Sequence, residues 1–83
     1  MAKILIYEKT SCPYCRKAKE FFTQKKIVFE VIDVEQNRPV FEKLMKTHNW
    51  DTVPMIFIDD KLIGGYSDLM ELEKKDSLKE LLS

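Results

Sequence analysis

Thr10-Ser11-Cys12-Pro13-Tyr14-Cys15 holds both cysteines of an 83-residue chain, two residues apart. Pro13 brings a fixed helical φ, and its missing N–H would be unpaired in a first turn anyway, so the stretch predicts a helix starting at Pro13. Cys12 then sits at the helix mouth and Cys15 lies one turn on, the two side chains being neighbours on one face at roughly 5–6 Å. A disulfide can open and close across that gap. Unpaired N–H groups and the positive end of the helix dipole stabilise a thiolate at the mouth, which makes Cys12 the expected nucleophile.

Upstream, Lys3 to Tyr7 carries Ile4, Leu5 and Ile6 in a row, the pattern of a central strand covered on both faces. Downstream, Cys15, Ala18, Phe21 or Phe22, and Lys25 follow helical spacing, with Arg16, Lys17, Lys19 and Glu20 on the other face. Ile27 to Val34, rich in β-branched residues, reads as a second strand, parallel to the first if the helix is the crossover. The chain thus opens as a βαβ unit.

A second helix is expected from an Asn37 N-cap and Pro39 in the first turn, with Val40, Phe41, Leu44, Met45 and His48 as its buried stripe and Asn49 as a left-handed terminator. Met55-Ile56-Phe57-Ile58, the turn Asp59-Asp60 and Lys61-Leu62-Ile63 predict a hairpin. Gly64-Gly65 precede Ser67-Asp68, a natural cap for a helix through Leu69, Met70, Leu72 and Glu73. Ser77 with Glu80 has the spacing of a capping box, and Leu78, Leu81 and Leu82 give a final helix its packing face. No repeat or linker interrupts this order, so residues 1–83 are expected to form one domain.

Fourteen basic residues balance fourteen acidic ones, and no apolar run approaches the roughly 20 residues of a membrane span. Neither a nucleic-acid nor a membrane partner is expected. The N-terminus runs straight into strand-like sequence without a signal-peptide core, which points to the cytoplasm. In a reducing compartment a close cysteine pair reads as catalytic or metal-binding. Zinc needs about four ligands, and beyond the pair there is only His48, expected as a helix-end residue, so no metal is expected.

Cys12-Pro13-Tyr14-Cys15, Thr52-Val53-Pro54 and Gly64-Gly65-Tyr66-Ser67-Asp68, in this order and at these separations, resemble the three signatures of a dithiol glutaredoxin, and the resemblance covers essentially the whole chain. It implies an α/β, thioredoxin-like fold: a single four-stranded mixed sheet with flanking helices in the order β-α-β-α-β-β-α, plus a short C-terminal helix. It implies a glutathione-dependent thiol–disulfide oxidoreductase that reduces protein–glutathione mixed disulfides through Cys12, and protein disulfides through Cys12 with Cys15 as resolving thiol. Glutathione is then the co-substrate, no cofactor is bound permanently, and the chain is a monomer that meets glutathionylated or disulfide-containing proteins.

The same resemblance assigns contacts to glutathione. Pro54 follows a cis peptide bond and faces the Cys loop, leaving the Thr52-Val53 backbone to pair with the tripeptide as an added strand. Lys9 attracts the glycyl carboxylate, and Tyr14 flanks the tripeptide. Gly65 allows close approach, while Ser67 and Asp68 take the γ-glutamyl end, its carboxylate on N–H groups and its ammonium on Asp68. Where many glutaredoxins place Gln or Arg in the second helix this chain has Phe41, and Arg38, one turn earlier, is the candidate substitute. Trp50-Asp51 replaces a commonly small or basic pair. Two other readings stand beside this one. A redoxin served directly by a thioredoxin reductase is disfavoured by Lys9 and Ser67-Asp68, and an iron–sulfur scaffold sharing a cluster through Cys12 is disfavoured by Pro13.

Overall fold

Ile4, Leu5, Ile6 and Tyr7 form the strand that the rest of the sheet is built on. In a computed structural model, which describes residues 3–82, strand β1 (Ile4–Glu8) lies between two neighbours. It pairs in parallel with β2 (Glu30–Asp33) and antiparallel with β3 (Met55–Ile58), and β3 pairs with β4 (Lys61–Gly64), giving the order β2-β1-β3-β4. Helix α1 (Pro13–Gln24) is the crossover between β1 and β2, and α2 (Arg38–His48) links β2 to β3. Helices α3 (Tyr66–Lys74) and α4 (Ser77–Leu82) complete the chain. This is the four-stranded mixed sheet with flanking helices expected from the sequence.

Period-two alternation sends side chains to two cores. Ile4 and Ile6 of β1 and Ile56 and Ile58 of β3 pack with Ala18 and Phe22 of α1, Leu69 of α3 and Leu78 of α4. Tyr7, Met55 and Phe57 pack on the opposite face with Val34 and with Phe41 of α2. Burial on both faces explains why β1 and β3 read as continuous apolar runs rather than alternating ones.

Several boundaries differ from the sequence reading, each for a local reason. The second strand is shorter than Ile27–Val34, because Ile27 spends its N–H on Phe22 O (2.9 Å) and Lys26 spends its own on Thr23 O (3.0 Å), closing α1 with Lys26 at φ 59°. That is a Schellman ending with lysine where glycine is usual. Asn49, at φ 51°, ends α2 in the same way, with Trp50 N–H on Met45 O at 2.9 Å. Val40 is 53 % exposed and belongs to the shoulder of α2 rather than to its buried stripe. Asn37 stands at the α2 N-cap without a capping side-chain bond; its amide donates instead to Asp33 O at 3.0 Å. Both turn residues of the hairpin, Asp59 and Asp60, have positive φ, as a two-residue connection of this twist requires. Helix α4 takes Ser77 as its first helical residue, one position inside the expected cap, and the packing expected of Leu82 lies outside the described side chains. No described helix is long and apolar enough to cross a membrane.

Candidate active site

Cys12 occupies the N-cap of α1 with an extended backbone (φ −90°, ψ 114°), and Pro13 is the first helical residue. The loop before it is closed by Cys12 N–H on Lys9 O at 3.2 Å. Cys15 N–H donates to Cys12 Sγ at 3.2 Å, and the Cys12 thiol donates to Val53 O at 3.7 Å. Both cysteines are free thiols, but their surroundings differ: Cys12 is half-buried and Cys15 is 1 % exposed. Solvent and a substrate sulfur can reach only the first.

Burial, and after it the hydrogen bond with Cys12, push the Cys15 thiol up from 9.0 to about 12. The folded chain therefore keeps a proton there that the unfolded chain releases above about pH 9, so the associated stability is full below pH 9 and is lost as pH rises towards 12. Tyr7, raised from 10.0 by burial, acts in the same direction. The urea midpoint of the reduced protein is expected to fall across that window, and to fall less in Cys15→Ser; a wild-type midpoint that stays flat above pH 9 would contradict the raised thiol.

The peptide bond Val53–Pro54 is cis, and Pro54 is buried at the start of the β3 strand. Thr52 and Val53 divide two hollows. One, of about 290 Å³, is lined by Tyr14, Trp50, Thr52, Val53, Pro54, Gly65, Tyr66, Ser67 and Asp68. The other, of about 180 Å³, is lined by Lys9, Val34, Glu35, Arg38, Phe41, Glu42, Met45, Asp51, Thr52 and Val53. The fold thus gathers the residues singled out from sequence around one Thr52-Val53 ridge, with Lys9 and Arg38 on one side and the Gly65-to-Asp68 segment on the other. Phe41 is buried and stacks on Tyr7 at 6.2 Å, so the second-helix position offers no polar group. Arg38 lines the hollow, with Nε 3.9 Å from Glu42.

At the γ-glutamyl end the capping differs from the expected arrangement. Helix α3 begins at Tyr66, so Gly65 is the N-cap, and Asp68 reaches back to accept Gly65 N–H at 3.0 Å. Ser67 lies inside the first turn. Gly64, rather than Gly65, is the glycine with no substitute: its φ is 122°, and a Cβ there would collide with the Asp68 carboxylate. A Cβ on Gly65 would meet Pro54 O and the Trp50 ring at 3.5 Å, ordinary contact. Gly64→Ala is therefore expected to lower the unfolding free energy by about 2 kcal/mol or more, from positive φ plus displacement of Asp68. Gly65→Ala is expected to be milder; equal urea midpoints for the two variants would contradict this.

Two aromatic residues outside the contacts assigned to glutathione also line the site. Trp50 donates Nε1–H to Thr52 O at 2.9 Å and walls the larger hollow. Tyr66 lies beside Tyr14, ring centroids 5.9 Å apart, and Lys17 Nζ stands over both rings at 6.0 and 5.2 Å. The Tyr14-to-Lys17 spacing of one helical turn was a legible signal for half of that cluster.

A Cys-x-x-Cys pair at a helix mouth after the first strand of a βαβ unit, facing a cis-proline that opens an antiparallel hairpin, defines the dithiol oxidoreductases of the thioredoxin fold. Within that class the chain belongs to the glutaredoxin family, whose family model matches residues 4–63. It is 39% identical over 82 residues to Glutaredoxin 3 of Escherichia coli, covering 99% of each chain. It is 42% identical over 83 residues to Glutaredoxin 1 of Rickettsia prowazekii, covering 95% of this chain and 85% of that one. Among solved structures, the buckwheat glutaredoxin–glutathione complex superposes with a TM-score of 0.89 at 29% identity, over 95% of this chain and 74% of that one. The solution structure of glutaredoxin from Brucella melitensis gives 0.84 at 33% identity, over 99% and 89%. The chain is a glutathione-dependent thiol–disulfide oxidoreductase.

Proposed function

We propose that Cys12 is the nucleophile and Cys15 the resolving thiol of a single glutaredoxin domain spanning residues 1–83. The observation that carries this is the asymmetry of the pair: Cys12 Sγ is half-exposed and accepts the Cys15 N–H at 3.2 Å, whereas Cys15 Sγ is buried behind it. The Cys15 backbone N–H, 3.2 Å away, holds the Cys12 sulfur at the helix mouth, on the side open to a substrate. In the monothiol route, Cys12 thiolate attacks the glutathione sulfur of a protein–glutathione mixed disulfide. The S–S bond breaks, the protein sulfur leaves and is protonated from water, and a second glutathione thiolate then displaces Cys12, leaving as glutathione disulfide. In the dithiol route, Cys12 attacks a protein disulfide, and Cys15 displaces the remaining substrate sulfur to leave a Cys12–Cys15 bond, which two glutathiones reduce.

Glutathione lies in this reading along the Thr52-Val53 ridge, before Pro54, as an added strand. Its γ-glutamyl carboxylate meets the N–H groups at the start of α3 near Gly65 and Ser67, its ammonium meets Asp68, and Tyr14 flanks it. Its glycyl carboxylate turns towards Lys9, with Arg38 as a second cation; both line the hollow on that side. Glutathione is co-substrate, with no permanently bound cofactor, and the working unit is a monomer acting on glutathionylated and disulfide-containing proteins. The balanced charge and the reducing conditions the pair needs favour the cytoplasm and give no reason for a nucleic-acid or membrane partner. A coupled assay tests the reductant: turnover with glutathione and glutathione reductase, and little with thioredoxin reductase, is expected. The reverse preference would overturn this reading.

A further inference from the structure

Trp50, the single tryptophan of the chain, spans the site from the end of α2 to the start of α3. Its backbone is held at the first of these: Asn49 takes the left-handed conformation there, and Trp50 N–H donates to Met45 O at 2.9 Å. Its ring reaches the second, where a Cβ on Gly65 would lie 3.5 Å from the indole Cζ2. Between the two ends the indole Nε1–H donates to Thr52 O at 2.9 Å. The indole nitrogen is a donor only, so it fixes a carbonyl and nothing else. The bond lies at the surface, where water would otherwise serve that carbonyl without setting its direction.

We propose that Trp50 is a positioning residue for glutathione, acting through Thr52 O to aim the Val53 N–H at the tripeptide. This rests on glutathione pairing with the Thr52-Val53 backbone as an added strand. Thr52 O and Val53 N–H belong to one planar peptide unit. The cis bond is the next one, Val53–Pro54, so in the trans unit before it the carbonyl and the N–H point in opposite directions. Holding the carbonyl against the indole therefore turns the N–H away from the ring and fixes its direction. Among the described residues no hydrogen bond within the chain uses that N–H, whereas Val53 O lies 3.7 Å from Cys12 Sγ. A free main-chain donor is thus left beside the reacting sulfur. An added strand draws its affinity from main-chain hydrogen bonds, and each needs an aligned donor. With the donor already aimed, the ordering of this segment is completed on folding and not on binding. The same ring walls the hollow assigned to the γ-glutamyl end, so the N–H and the ring area have to be tested apart.

Because the chain has one tryptophan, expression in a tryptophan auxotroph fed β-(3-benzothienyl)alanine exchanges the indole N–H for sulfur at that position alone and keeps both fused rings. This form, Trp50→Phe and wild type are compared on one peptide carrying either a glutathione or a cysteamine mixed disulfide. Cysteamine offers Cys12 a sulfur to attack but has no carbonyl to accept the Val53 N–H. The quantity read is the second-order rate constant for release of the peptide thiol in a single turnover. For the glutathione adduct it is expected to fall about three- to tenfold in the benzothienyl form, the effect of one misaligned hydrogen bond, and at least as far in Trp50→Phe. For the cysteamine adduct the benzothienyl form is expected to stay within about twofold of wild type. An equal loss on both adducts, which a merely structural role would give, would overturn the proposal. So would a benzothienyl form that keeps the wild-type preference for glutathione, whatever Trp50→Phe does. A wild type with no preference for the glutathione adduct would instead sink the added-strand reading on which the proposal rests.

Discussion

Cys12→Ser is expected to lose both activities, each falling at least about a thousandfold to background, because every bond-making step begins on that sulfur. A serine hydroxyl is not ionised near neutral pH and is a poor nucleophile towards a disulfide, so the mixed-disulfide intermediate never forms. The loss is not a folding effect. Cys12 is the N-cap of α1 and its sulfur already accepts Cys15 N–H at 3.2 Å, a bond that a serine oxygen can take over. Serine is among the preferred N-caps, so the urea midpoint is expected to hold or rise. Paired deglutathionylation and protein-disulfide assays, run beside the urea titration, check this. Residual turnover above about one per cent of wild type would move the nucleophile elsewhere.

Cys15→Ser separates the routes. Protein-disulfide reduction is expected to fall at least about a hundredfold, while deglutathionylation stays within a few-fold of wild type. The reason lies in which atom of Cys15 each route uses. Cys12 is supported by the backbone N–H of Cys15, which the substitution leaves in place, and only resolution needs the side-chain sulfur. The position is 1 % exposed, so a hydroxyl there costs roughly 1–3 kcal/mol of stability. Loss of both activities in a protein that remains folded would contradict the division of roles.

The βαβ opening, the nucleophile at its helix mouth and the hairpin were legible because each rests on a residue with few conformational options. Pro13 marks the start of α1, Asn49 tolerates the left-handed turn that ends α2, and Asp59-Asp60 tolerate the hairpin turn. The end of α1 was not legible, because Lys26 takes the same left-handed conformation without any sequence preference for it, and so the second strand was read too long. At the third motif the sequence showed two glycines and a serine–aspartate pair but not their division of labour. Positive φ falls on Gly64, and the cap is made backwards from Asp68, three residues into the turn. Tyr66 and Lys17 come together only when α3 packs on α1, a contact across nearly fifty residues that no local pattern encodes.

The most direct measurement of the central claim is peptide-level mass spectrometry of Cys15→Ser after brief exposure to glutathione disulfide, and again after reduced glutathione is added. One glutathionyl group on Cys12, removed by the second treatment, is the expected result. A folded variant that stays unmodified, or whose Cys12 adduct reduced glutathione cannot discharge, would contradict the assignment of Cys12 as the glutathione-exchanging nucleophile.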